Sequence, residues 1–322
     1  MKTHLWRLLL LILLAPTTVF GQKTDSLVKK LDSLEKKADS TGHQSNNVQP
    51  SAYNEITSIN VPVYFTLLWS DYKQQFTAPF HQTGKDWLKV AGFAGAIAGL
   101  TTIDEPIQQY ALRLKNQHKP VRSISKYVSN TGGVFEAYTL AAFATWGWVF
   151  KKEKMKTTTL LATQAYLTSA AVSTVGKFLA GRQRPAVYNP DKVETEPTFF
   201  GPFAKLGTDE SGHKLNSSFP SGHTTLAFAA ATVYAMEYKD MPWVPILSYS
   251  AASLIGLSRI AQNMHWTTDV LTGAMLGYLS GRQVVNNYHR YAKIQNTKLK
   301  NKVSFNFGYF QGNMLASLSY RP

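Results

Sequence analysis

The chain contains no cysteine, which excludes disulfide bridges, zinc–thiolate sites and thiol catalysis. Acidic residues are scarce: 19 Asp and Glu stand against 34 Lys and Arg, a formal charge of +15 over 322 residues. Such a balance favours anionic partners, namely phosphorylated substrates, anionic head groups or nucleic acid. Nucleic acid is the weakest of these, since no Arg-rich helix or binding module is present. Internal repeats are also missing. Uninterrupted apolar stretches are short. The first, Leu8–Leu14, follows Lys2 and Arg7 and precedes Val19-Phe20-Gly21. That order reads as a secretory signal over 1–21, with an uncleaved anchor helix as the alternative.

Residues 22–84 form a polar N-terminal segment in which Leu27, Leu31 and Leu34 recur at helical spacing. Its first part, 22 to about 60, reads as a linker, or as a short amphipathic helix. From Trp87 the character changes. Apolar stretches near 87–103, 131–150, 158–180, 222–237, 243–258 and 266–282 are rich in Ala, Gly, Leu, Thr and Val, and each is long enough for a helix. The expectation is all-α: a bundle of about six apolar helices over 85–285. Small residues suit close helix packing, although Glu136 and Gln164 inside two of the stretches fit a soluble bundle equally well. A basic tail, 286–322, ends in alternating Val303, Phe305, Phe307 and Met314, Ala316, Leu318 around Gly312-Asn313, a candidate C-terminal β-hairpin.

The connections carry the chemistry. Lys151, Lys152, Lys154 and Lys156 make one connection strongly basic, which points to a membrane and, by the positive-inside tendency, to the cytoplasmic face. A cleaved signal followed by two spans would leave that connection outside. A further crossing near 61–70, a stretch that does not span, or a peripheral periplasmic bundle would each remove the conflict. Residues 186–219 form a long irregular connection of the kind that is often functional.

Three clusters stand out: Lys177 with Arg184-Pro185; Pro220-Ser221-Gly222-His223; and Ser258-Arg259 with His265 and Asp269. Lys177, Arg184 and Arg259 supply three cations, and an Arg fork matches phosphate oxygens. Charge spread over the equatorial oxygens in phosphoryl transfer calls for such an arrangement. Ser221 stands where an N-cap would, and Gly222 lets backbone N–H groups approach a phosphate at a helix start. His265 and Asp269, four apart, share a helix face, so a carboxylate there fixes the ring tautomer and aims the other nitrogen outward. His223 is then placed to protonate a leaving oxygen. Taken singly each cluster has a bland reading: a structural His–Asp pair, or cations that satisfy helix ends. A divalent metal on two His and one Asp would be repelled by three cations.

Together the clusters resemble the signature of the type-2 phosphatidic acid phosphatase and vanadium haloperoxidase superfamily, over roughly 85–285. The resemblance implies a helical bundle with the site at one end. It implies phosphate binding by Lys177, Arg184, Ser221, Gly222 and Arg259, catalysis by His223, His265 and Asp269, and no metal or other cofactor. It implies hydrolysis of a phosphomonoester or pyrophosphate, of a lipid by preference, through a phosphohistidine. The expected setting is the bacterial envelope, membrane-associated with the site on the periplasmic side; a soluble periplasmic protein is the alternative. Rival functions are a vanadate-dependent haloperoxidase and a non-catalytic envelope phospholipid-binding protein. No partner beyond substrate and membrane is implied, and oligomeric state is left open.

Overall fold

Asn60 accepts a hydrogen bond from the Val63 backbone N–H (3.0 Å) and Pro62 occupies the first turn, so a helix starts here, α1 (Val61–Thr77). A computed structural model supplies this and all following geometry. It describes residues 55–81, 84–203, 205–208, 212, 214–310 and 313–320, with side chains except at 81, 130–137 and 297–320. The expected signal at 1–21, the first part of the polar segment and the turn residue Gly312 lie outside the described residues.

After α1 come α2 (Gly84–Leu100), α3 (Asp104–Gln117), α4 (Lys119–Val149), α5 (Glu153–Ala180), α6 (Gly222–Glu237), α7 (Trp243–Ala261) and α8 (Thr267–Lys302). The all-α expectation holds. The number of helices differs, with eight among the described residues where six were expected. The additional two are α1, which begins where the linker reading ends and covers the possible crossing near 61–70, and α3. Helices α4 to α8 run alternately up and down. One core cluster joins Leu67 of α1, Leu161, Ala162 and Ala165 of α5, Ala229 and Val233 of α6, and Val284, Val285 and Tyr288 of α8. Buried Ala292 and Ile294 carry packing further along α8, so the expected core boundary at 285 falls inside a helix.

Helix α1 is attached by polar side chains. Asn287 Nδ2 donates to Asp71 Oδ1 (2.8 Å), Gln74 Nε2 to Asn287 Oδ1 (2.8 Å), Gln75 Nε2 to Thr168 Oγ1 (3.0 Å) and Gln164 Nε2 to the Tyr64 carbonyl (2.8 Å). Gln164, read as a polar intrusion into an apolar helix, is fully buried as part of this seam.

The closest helix contact sets the site. Gly273, Gly277 and Gly281 of α8 face α6 so tightly that added Cβ atoms would lie 2.7 Å from the Ser221 carbonyl oxygen, 2.2 Å from that of Thr225 and 2.4 Å from that of Ala229. Backbones that approach this far need glycine on one side. The contact brings the start of α6 against the start of α8. Beyond the bundle, Val303–Phe310 (β1) pairs antiparallel with Asn313–Tyr320 (β2), Val303 opposite Tyr320.

Candidate active site

Helix α5 ends at Gly181, whose φ of 53° is left-handed and whose backbone lies where a Cβ would meet the Gly201 carbonyl oxygen at 2.0 Å. The last turn of α5 therefore presents Lys177 at the end of the bundle where α6 begins, α7 finishes and α8 starts. The long connection folds over this end. Its backbone is pinned by Arg184 N–H to the Leu215 carbonyl (2.9 Å) and Ser218 N–H to the Arg182 carbonyl (3.0 Å). Asp191 pairs with buried Lys115 Nζ of α3 (2.6 Å).

The three cations converge here. Lys177 Nζ donates to the Ser217 carbonyl (2.7 Å) and stands beside Gly222, whose added Cβ would lie 3.9 Å from it. Arg184, buried, donates through Nη1 to the Met264 carbonyl (3.1 Å) and through Nη2 to Ser217 Oγ (3.3 Å). Arg259, in the last turn of α7, donates through Nη1 to the carbonyl (3.2 Å) and Oγ (2.7 Å) of Ser129 on α4. Ser221 precedes α6 as expected, but its hydroxyl does not cap the helix. It pairs with Thr224 Oγ1 at 2.8 Å, while its N–H donates to the Asp269 carbonyl (3.0 Å) and joins α6 to α8.

His265 lies in the turn before α8 and is buried. Its Nδ1 is 2.7 Å from the Ser218 carbonyl oxygen and 3.7 Å from Asp269 Oδ2. The expected hydrogen bond to Asp269 is thus replaced by one to a backbone carbonyl. The tautomer consequence is the same, because a carbonyl accepts only and Nδ1 must carry the proton. Nε2 is left as the basic nitrogen. Burial, and then the charges of Arg184, Lys177 and Arg259 with the neighbouring His223, hold the ring well below the ordinary imidazole pKa of 6.5. His223, at the second position of α6 and half-buried, is near enough to contribute.

Asp269 instead organises the turn. It is fully buried, its Oδ2 accepts from Ser218 Oγ (2.5 Å) and Trp266 N–H (2.8 Å), and its Oδ1 accepts from Arg182 Nη1 (2.5 Å). The bond to Trp266 N–H is the reach-back half of a capping box at the start of α8. Sequence reasoning missed Arg182, Asp104, Ser218 and Ser129. Arg182 could have been noticed as a third cation inside the Lys177–Arg184 spacing. The others carry no local signal. Among the described residues no three His, Asp or Glu side chains gather as metal ligands. The arrangement offers a concave cluster of cations around one neutral, oriented imidazole with a second imidazole beside it, which suits attack on a phosphorus atom.

Residues 158–293 match the model of the PAP2 superfamily. A lipid A 1-phosphatase of Porphyromonas gingivalis is 50% identical over 66 residues, 20% of this chain and 15% of that one. Lipid phosphate phosphatase 1 of Arabidopsis thaliana is 31% identical over 132 residues, 36% of this chain and 39% of that one. The chain thus spans well under half the length of either relative. A crystal structure of a transmembrane PAP2-type phosphatidylglycerolphosphate phosphatase from Bacillus subtilis aligns at 23% identity with a TM-score of 0.45, covering 66% of this chain and 95% of that one.

Proposed function

We propose that this protein, whose residues 158–293 match the PAP2 superfamily model, is a lipid phosphatase that hydrolyses a phosphomonoester or pyrophosphate through a phosphohistidine on His265. The observation that carries the reading is the convergence of Lys177, Arg184 and Arg259 on a neutral His265 whose Nδ1 is committed to the Ser218 carbonyl. In the first step the Nε2 lone pair forms the N–P bond, the bond from phosphorus to the leaving oxygen breaks, and His223 gives that oxygen its proton. In the second, His223 takes a proton from water, the hydroxyl attacks phosphorus, and the N–P bond breaks to release orthophosphate. The cations, with the N–H groups at Gly222, stabilise charge on the equatorial oxygens, so no metal is required.

Relatives named as a lipid A 1-phosphatase and a lipid phosphate phosphatase support a phosphorylated lipid as substrate. Membrane association is supported by exposed apolar side chains along the bundle, among them Leu254 and Leu257 of α7 and Phe178 and Leu179 of α5. We place the site on the periplasmic side, since the Lys-rich connection after α4 lies at the opposite end.

The test is a phosphate-release panel over lipid phosphomonoesters and pyrophosphates in detergent, with chelator present, combined with quenched labelling. Release with label on His265, no label in His265→Ala, and label that accumulates in His223→Ala with a good leaving group are expected. A His223→Ala loss of about 10²–10⁴-fold fits a general acid–base residue. Label on a Ser or on His223, or activity that needs a divalent ion, would refute the mechanism.

A further inference from the structure

Arg182 is fully buried and is not among the cations that face the phosphate position. Its Nη1 donates to Thr268 Oγ1 (2.7 Å) and Asp269 Oδ1 (2.5 Å), and its Nη2 donates to Asp104 Oδ2 (2.6 Å). Phe199 and Trp266 lie against the guanidinium, with ring centroids 4.6 and 5.8 Å from its central carbon. Asp104, the first residue of α3 and also fully buried, accepts from the Thr268 N–H at its Oδ1 (3.0 Å) and from the Thr268 hydroxyl at its Oδ2. Asp104 lies outside the segment that matches the superfamily.

Two features make this cluster more than a tie between helices. Its hydrogen bonds end on the group that fixes the histidine: Arg182 holds one oxygen of Asp269, the other oxygen takes the Ser218 hydroxyl, and the Ser218 carbonyl holds His265 Nδ1. Its charge is also informative. Arg182 alone would neutralise Asp269 and leave no net negative charge on the Nδ1 side of the ring, which becomes more positive as Nε2 bonds phosphorus. Asp104 restores one net negative charge to the cluster, in a buried setting where a missing partner is costly.

We infer that Arg182 and Asp104 are positioning residues for His265, acting through Asp269 and Ser218. The inference rests on the assignment of His265 as nucleophile. Asp104→Asn keeps the shape and removes the charge. It is expected to lower kcat about tenfold with KM within about twofold, the low end of the ~10–100-fold that loss of an outer hydrogen-bond partner costs a metal-bound histidine. Arg182→Lys keeps the charge and loses the fork, and should fall between wild type and Arg182→Gln. The deciding comparison is the Asp269→Asn background, where adding Asp104→Asn should cost less than about twofold because the connection is already cut. Full additivity there, or wild-type kcat in Asp104→Asn, overturns the inference. So does a failure of both Asp104→Asn and Arg182→Lys to fold in detergent, which would make the cluster purely structural. Nitrogen-15 shifts of histidine-labelled protein, with His265 assigned by its loss in His265→Gln, read the tautomer without turnover. A single Nδ1–H form in wild type that gives way to exchange between tautomers in both variants is expected; an unchanged ring overturns the inference. If wild type gives no phosphohistidine, the assignment of His265 fails, and the tautomer measurement still decides whether Asp104 and Arg182 set that ring.

Discussion

Around Asp269 the distances assign the work: Arg182, Ser218 and Trp266 are in hydrogen-bonding contact, and His265 Nδ1 is at 3.7 Å. The carboxylate builds the turn and the Ser218 carbonyl sets the ring. His265 then carries a cost that depends on pH. Its folded pKa lies well below 6.5, chiefly through burial and then the cations, so the unfolded chain binds the extra proton first. Stability from this group is fully present above the unfolded value of 6.5 and is lost as pH falls below it towards the folded value. Between pH 6 and 5 the slope approaches about 1.4 kcal/mol per pH unit for one proton. Unfolding in detergent across pH 5–7 should therefore show a flatter dependence for His265→Gln than for wild type. Equal slopes would mean that the buried ring is not held neutral. The residues proposed to bind phosphate and react could be picked out in the sequence because they sit in three short runs. Their supports could not, because the contacts are remote: Thr268 meets Asp104 across 164 residues and Arg259 meets Ser129 across 130.

The elements that the sequence revealed are those whose burial is apolar. Helices α2 and α4 to α7 follow their Ala- and Leu-rich stretches. Helix α1 was met only as a possible crossing near 61–70: its first half is apolar and buries Leu67 in the core, but its second half is attached to α5 and α8 through Asp71, Gln74, Gln75 and Asn287, which leave no apolar stripe to read. Helix α3, beginning Asp104-Glu105-Pro106, is polar along most of its length and buries only Asp104, Gln108, Leu112 and Lys115. The end of α8 was read as tail although Tyr288, Ala292 and Ile294 are buried there, because these apolar residues are set among Asn, His, Arg, Lys and Gln and form no continuous apolar stretch. Packing at this scale can be tested with two glycines. Gly277→Ala puts a Cβ 2.2 Å from the Thr225 carbonyl oxygen, a backbone atom that cannot swing aside. A loss of about 1–3 kcal/mol is expected from overpacking, with reduced turnover because α6 carries His223 past His265. Gly95→Ala in α2 meets nothing within 4 Å and should be neutral or stabilising by up to about 1 kcal/mol. Unfolding midpoints in detergent that rank the two variants the other way would break the argument that the α6–α8 contact sets the site.

The whole molecule has two unlike ends. One holds Lys177, Arg184, His223 and His265 under the long connection. The other holds the Lys-rich connection, with exposed Trp146, Trp148, Phe150 and Trp243 around it. In the orientation proposed above, tryptophan beside lysine fits a membrane–water interface on the cytoplasmic side. Between the ends, α7 is the one described helix long and apolar enough to cross a membrane, 19 residues at a mean hydropathy of 1.3. At ~1.5 Å per residue a helix of this length approaches the ~30 Å hydrocarbon core. Exposed Leu254 and Leu257 on α7 and Leu271, Met275 and Leu279 on α8 then face lipid. The absence of cysteine gives a clean background for locating each end. Tyr188→Cys, in the connection over the site, and Lys152→Cys, at the basic end, both replace solvent-exposed side chains. In cells with a permeabilised outer membrane, an impermeant maleimide should label Tyr188→Cys at once and Lys152→Cys only after the inner membrane is broken. Labelling of Lys152→Cys alone would turn the site towards the cytoplasm. Immediate labelling of both, with release of the protein by carbonate, would replace the embedded bundle by a peripheral one.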